Sequence, residues 1–134
     1  MSLGNTTETD LLALIFNATA LPWNAVTKLD LHLHTADPGE AGTSSTSEAT
    51  YGGYALVQVD RNSGGWTVSG NTVSNTALVQ FDQCTSGSNN ITHVSITPRA
   101  STQVIAKGAL SSSIPVSTGI RPQFEAGQLT MTMD

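Results

Sequence analysis

The chain has 134 residues, 38% of them hydrophobic, which is the size and apolar content of one domain with its own core. Ten Asp and Glu against five Lys and Arg give a formal net charge of −5, and without a basic cluster to neutralise phosphates a nucleic-acid partner is excluded. Only 11% of residues are charged, less than half of the roughly 25% usual in soluble domains, and 15 serines with 19 threonines supply the polarity instead.

From the N-terminus, Asn5 followed three residues later by Glu8 predicts a helix N-cap with its reciprocal partner, and Asp10 adds charge that suits the helix dipole. Leu11, Leu12, Ile15 and Phe16 then fall on one side of about three helical turns, which Asn17 and Pro22 end. So short a helix is not stable alone. Leu11, Leu12, Ile15 and Phe16 are therefore the candidate partner-binding residues. The apolar run 11–16 is far shorter than the roughly 18 residues that span a bilayer, so no membrane partner is expected. Ala18-Thr19-Ala20 mimics a signal-peptidase site but lacks a basic start and a long apolar region, so the chain reads as untargeted.

After Pro22 the period changes from 3.6 to 2. Leu29, Leu31 and Leu33 alternate with Asp30, His32 and His34, the pattern of a strand with one buried face. Further strands are predicted at 54–61, 66–73, 77–81, 91–97, 104–106 and 129–133. Asn62-Ser63-Gly64-Gly65, the Ser/Asn-rich 86–90 and Ser111-Ser112-Ser113 read as the turns between them. The Gly/Ser/Thr-rich segment 38–50 has no apolar period and predicts a long exposed loop. The expected fold is mainly β: an antiparallel β-sandwich or jelly-roll-like domain with one short N-terminal helix. Residues 1–134 form a single domain in this reading, 1–22 a helical arm and 23–134 the sandwich.

Little points to catalysis. Alternate histidines on a strand can aim two imidazoles at one metal ion, so Asp30, His32 and His34 are the sharpest enzymatic candidate. A third or fourth ligand is needed, and His93 is the one histidine left. The simpler reading puts this face against solvent or a neighbouring subunit, and no metal or other cofactor is expected. No Gly-x-Ser-x-Gly elbow is present and Cys84 has no His near it in sequence, so no nucleophile can be argued. Asp37, Glu40 and Glu48 read as solvating charges on the loop. Trp23 and Trp66 read as core or subunit-contact residues rather than a sugar platform.

Four short elements occur in order: Thr35-Ala36-Asp37-Pro38-Gly39-Glu40; Gly52-Gly53-Tyr54-Ala55; Thr92-His93-Val94 followed by Ile96; and Phe124-Glu125-Ala126-Gly127-Gln128-Leu129-Thr130. Together with the Met-Ser-Leu start and short helix, this string resembles a family of small tailed-bacteriophage virion proteins. These are often labelled tail fibre proteins and in some phages are capsid decoration, or cement, proteins. Two departures are visible: Ser95-Ile96-Thr97 stands where the family more usually has Gly-Ile-Phe, and His32 and His34 stand where it has small residues. The resemblance implies a structural, non-enzymatic role with no catalytic residues. Its leading form is a decoration protein on the outer capsid surface, made in the host cytoplasm, with the major capsid protein and itself, as a homotrimer, for partners. The alternative is a tail fibre or receptor-binding module facing the tail or a host receptor. A cupin-like metal enzyme built on the histidines is a more distant third.

Overall fold

In a computed structural model covering residues 1–134, the elements run β1 (Ser2–Leu3), α1 (Asn5–Asn17), β2 (Lys28–His34), β3 (Val57–Asp60), β4 (Trp66–Ser69), β5 (Thr72–Asn75), β6 (Val79–Gln80), β7 (Ser88–Pro98), β8 (Ala106–Ser117), β9 (Gln123–Phe124) and β10 (Thr130–Thr132). The expected class is the observed one: mainly antiparallel strands with a single short helix. A five-stranded sheet has the order β1-β8-β7-β2-β3; β10-β5-β4 make a three-stranded sheet and β6-β9 a pair.

The core follows from the alternation on β2. Leu31 lies opposite Ile96 and Leu33 opposite Val94, so these four side chains share one face of the large sheet. Val79 and Phe81, with Phe124 and Leu129 from the C-terminal part, join the same cluster. The ring of Phe81 stacks on Tyr54 and meets Phe124 edge-on, each at 6.3 Å between centroids. Each fully buried side chain of this kind contributes about 1.5–3 kcal/mol relative to exposure.

The helix is capped differently from the sequence reading. Its N-cap is Gly4, without a side-chain cap, and Asn5 is its first residue. Pairing of β1 with β8 decides this: the Gly4 amide donates to the Ile105 carbonyl at 3.0 Å, and a Cβ on Gly4 would collide with the Val104 carbonyl. Further along, 66–73 is two strands joined by a turn at Gly70 and Asn71, with Gly70 at φ +59°, a conformation that suits glycine. The expected strand at 104–106 is the entrance to the twelve-residue β8. Ser111, Ser112 and Ser113 lie within β8 instead of ending it, at an irregularity where the register shifts between Ile91↔Ile114 and His93↔Ala109.

The segment 38–50 also departs from expectation. Much of its outer side is exposed, but Pro38, Ser44 and Ala49 are buried. The reason is pairing. β3 runs beside only Lys28–Leu31 of β2, and the remaining half of that edge is taken by the returning loop. Thr35 donates to the Ser47 carbonyl at 2.9 Å and Ala49 to the Leu33 carbonyl at 2.8 Å, satisfying backbone groups that would otherwise be orphaned.

Candidate functional site

Asp30, His32 and His34, on the second face of β2, are all buried: the returning loop bonds both imidazoles, and Asp30 Oδ2 accepts from the Ala100 amide at 3.0 Å. Contrary to the sequence reading, this face is covered by the chain itself, with Thr46 and Glu48 of the loop at the histidines and Ala100 at Asp30. The carbonyl of Thr46 can only accept, so His34 donates Nδ1–H to it at 2.8 Å and its Nε2 accepts from the Ser95 hydroxyl at 2.8 Å. Burial holds the His34 pKa below its ordinary value, favouring this neutral form. His32 donates Nδ1–H to Glu48 Oε1 at 2.7 Å, while its Nε2 faces the Thr97 hydroxyl at 3.2 Å. Tyr54 links the network to the strand edge: its hydroxyl accepts from the Leu33 amide at 3.1 Å and donates to Glu48 Oε1 at 3.0 Å. Burial and the Glu48 charge keep that phenol protonated, well above the ordinary tyrosine pKa.

Thr97, His32 and Glu48 have the hydroxyl–imidazole–carboxylate order of a hydrolytic triad. Burial argues against that use, because both Thr97 and Ser95 are fully covered and no substrate atom could reach either oxygen. The ring nitrogens are also committed to hydrogen bonds. His93 is the cross-strand neighbour of His34, but its Nδ1 bonds the Thr92 hydroxyl at 2.8 Å, and no three His, Cys, Asp or Glu side chains converge on a point that could hold a metal. What the arrangement does is clamp the loop. Asp37 adds a second clamp: Lys107 lies 2.9 Å away, and the Gly39 amide followed by Lys107 holds the Asp37 carboxyl below the usual carboxylate range. Asp37 and Glu48, read from sequence as solvating charges, therefore anchor the loop. Glu48, Ser95, Thr97 and Tyr54 were not singled out for this role, because partners distant in sequence leave no periodic signal.

The helix is held only at its root. Thr7 donates its hydroxyl to the Val104 carbonyl at 3.0 Å, Asn5 donates its amide to Glu40 at 3.0 Å, and Gln103 Nε2 bonds Asp10 at 2.8 Å. Beyond the root, Leu12, Ile15 and Phe16 are 58%, 68% and 77% exposed, side by side on neighbouring helical positions, while Leu11 is half-buried. The chain returns through 18–27, where Arg61 Nη1 donates to the carbonyls of Asn24 and Val26 at 3.0 Å and the guanidinium sits 4.9 Å from the Trp23 ring centre. The helix is thus tied at its N-terminal root, and the chain is held again only from Trp23 to Val26.

A second apolar surface is concave. Between the five-stranded and three-stranded sheets lies a groove of about 470 Å³ lined by Leu29, Trp66, Val68, Val73, Ile105 and Met131, among others. Its apolar lining carries no cluster of titratable groups. Trp66 and Trp23 are both half-buried, Trp66 against the core and Trp23 against Arg61.

A β-rich body with a projecting apolar arm and a buried, non-reactive polar cluster has the form of a structural subunit. Residues 2–132 match the family described as Podophage GP4 fiber I protein gp80. The chain belongs to that family. No curated protein matches it. The gp80 family is a structural phage fibre family rather than an enzyme family, and its member described here is a phage virion structural protein. The resemblance read from the four sequence elements and the family match agree on a small tailed-phage virion protein.

Proposed function

We propose that the protein is a capsid decoration, or cement, protein that binds the outer surface of the major capsid shell as a homotrimer and stabilises it. The observation that carries this reading is the arm: a self-closed domain presents Leu12, Ile15 and Phe16 to solvent, an arrangement suited to contacts made on assembly. Leu11 lies beside them at the arm's half-buried side and completes the contact set. Low charge suits the role as well, since contacts built from Ser, Thr and apolar groups change little with salt. Repeated lattice sites would add avidity to a weak single contact.

The second reading, a fibre or receptor-binding module, is supported by the fibre role of the family that residues 2–132 match. Copy number separates the two. Densitometry of purified particles is expected to give hundreds of copies per virion, with antibody labelling over the whole capsid; tens of copies confined to appendages would establish the fibre reading. Because Ser2–Leu3 belong to the large sheet, substitutions on the arm test attachment more cleanly than removing the N-terminus.

A further inference from the structure

We propose that residues 38–49 form a strap that lifts when the buried His34 gains a proton, and that its lifting loosens the root of α1. The segment touches both places. Thr46 and Glu48 bond the two imidazoles, Ser44 donates its amide to the Thr102 carbonyl, and the Glu40 carbonyl accepts from the amide of Asn5, the first residue of the helix. Thr43 bridges to Gln103, whose Nε2 reaches Thr7 and Asp10 of α1. The device is independent of where in the virion the chain sits.

His34 is fully buried and bonded at both nitrogens, so an added proton must go on Nε2, which in the neutral ring accepts from Ser95. The charged ring can only donate. Ser95, itself fully buried, must then turn its hydroxyl proton away from the imidazole it now bonds, and a buried donor without an acceptor is costly. The surroundings are also unfavourable to the charge. His32 lies two positions along β2 and His93 lies opposite on β7; from the other side come the Tyr54 phenol, which keeps its proton, and Glu48, which alone of these groups favours the imidazolium. Farther out, Lys107 of β8 and Asp37 neutralise each other. Burial sets the His34 pKa below 6.5, so the closed strap is favoured above about pH 6.5 and loses ground as pH falls toward the closed-state value.

Of the layers around His34 the strap is the least firmly held. β2 is paired with β7 from Leu29 to His34, whereas the strap meets the edge of β2 through two backbone bonds, Thr35 to Ser47 and Ala49 to Leu33. Ser47, between the two residues that bond the imidazoles, is held at φ +54°, a left-handed conformation that a residue with a Cβ resists. Once those bonds break, the middle of the strap relaxes. Its flanks stay in place, because Lys107 grips Asp37 on one side and Asn89 accepts the Thr50 and Tyr51 amides on the other. The strap therefore lifts between two fixed ends.

Residue-resolved amide exchange of the wild-type chain from about pH 7.5 to about pH 4.5, expressed as protection relative to the unfolded chain, tests both steps. Adjacent amides supply the contrast: Gly4 is held by the Ile105 carbonyl, Asn5 by Glu40 of the strap. Thr35, Ala49 and Asn5 should lose protection together, by up to about tenfold per pH unit below 6.5 as one coupled proton requires, while Gly4 and Val94 keep theirs. The loss should level off where the His34 ring resonances titrate. His34→Gln, whose amide can still donate to Thr46 but cannot charge, should abolish it. No loss down to about pH 4.5, a uniform loss that includes Val94, or an Asn5 that stays protected while Thr35 and Ala49 open overturns the proposal. Should His34→Gln misfold, the wild-type ring titration decides: a midpoint away from the end of the loss assigns the proton to another group and overturns it as well.

Discussion

The two faces of β2 are equally buried and are held by different physics. On one, Leu31 and Leu33 meet Ile96 and Val94 in a cluster whose attraction has no direction. On the other, each imidazole of His32 and His34 is bonded at both nitrogens, so every partner must stand at its bonding distance. The apolar face brings two layers together; the polar face selects one conformation of the loop above it. Buried polar groups give that selectivity only while they remain paired.

Removing apolar bulk is expected to have the largest effect. Leu33→Ala should cost about 2–5 kcal/mol, seen as a lower urea midpoint with an unchanged slope. On the polar face Glu48→Ala leaves His32 Nδ1 and the Tyr54 hydroxyl without their shared acceptor and should cost about 1–3 kcal/mol. Its signature is local: hydrogen exchange at the Thr35 and Ala49 amides should accelerate more than at Val94, and uniform acceleration would show that the loop is not a separately held unit.

Acid should sharpen the same contrast. The folded-state pKa of His34 is depressed from 6.5, so between that lower value and 6.5 the unfolded chain binds more protons than the folded one. The His34 contribution is therefore complete above about pH 6.5 and is lost as pH falls through the folded-state pKa, with a slope no steeper than about 1.4 kcal/mol per pH unit. His32 and His93 oppose protonation of His34 and Glu48 favours it, so the Glu48→Gln background should extend this loss to lower pH. Urea titrations at a series of pH values would check both the sign and the displacement.

Two changes should scarcely affect fold stability. Phe16→Ala should shift the stability of the dilute chain by no more than about 0.5 kcal/mol, since the side chain has almost no intramolecular contact to lose. A chelator should leave Tm unchanged, because the imidazoles on this face spend their nitrogens on Glu48, Thr97, Thr46 and Ser95. A melting transition that falls on chelation, with near-stoichiometric metal in the purified chain, would refute that account.

The alternation at 29–34 identified β2 and separated its faces correctly, because period-2 spacing is a local property of the backbone. What covers the polar face was not legible: Thr46 and Glu48 come from a loop with no period, and Ser95 and Thr97 from a strand more than 60 residues away. Gly4 displaced Asn5 as the helix cap for a similar reason, since the contact with Val104 that decides it is distant in sequence. The triple serine looked like a turn because serine does favour turns; inside β8 the same residues occupy an irregularity that the flanking strand pairs hold in place. The groove had no local signature either, as it exists only once residues from both sheets meet.

The arm also has a history within each round of synthesis. α1 is synthesised before the residues that aim it, Gln103, Val104 and Ile105, which follow about a hundred positions later. Closing so long a stretch is entropically costly and belongs among the slow steps of folding. Until β8 exists to accept β1, the apolar helix has no fixed direction. A chain that ends before β8 therefore carries the exposed Leu12, Ile15 and Phe16 on a helix without the β1–β8 pairing that fixes its direction.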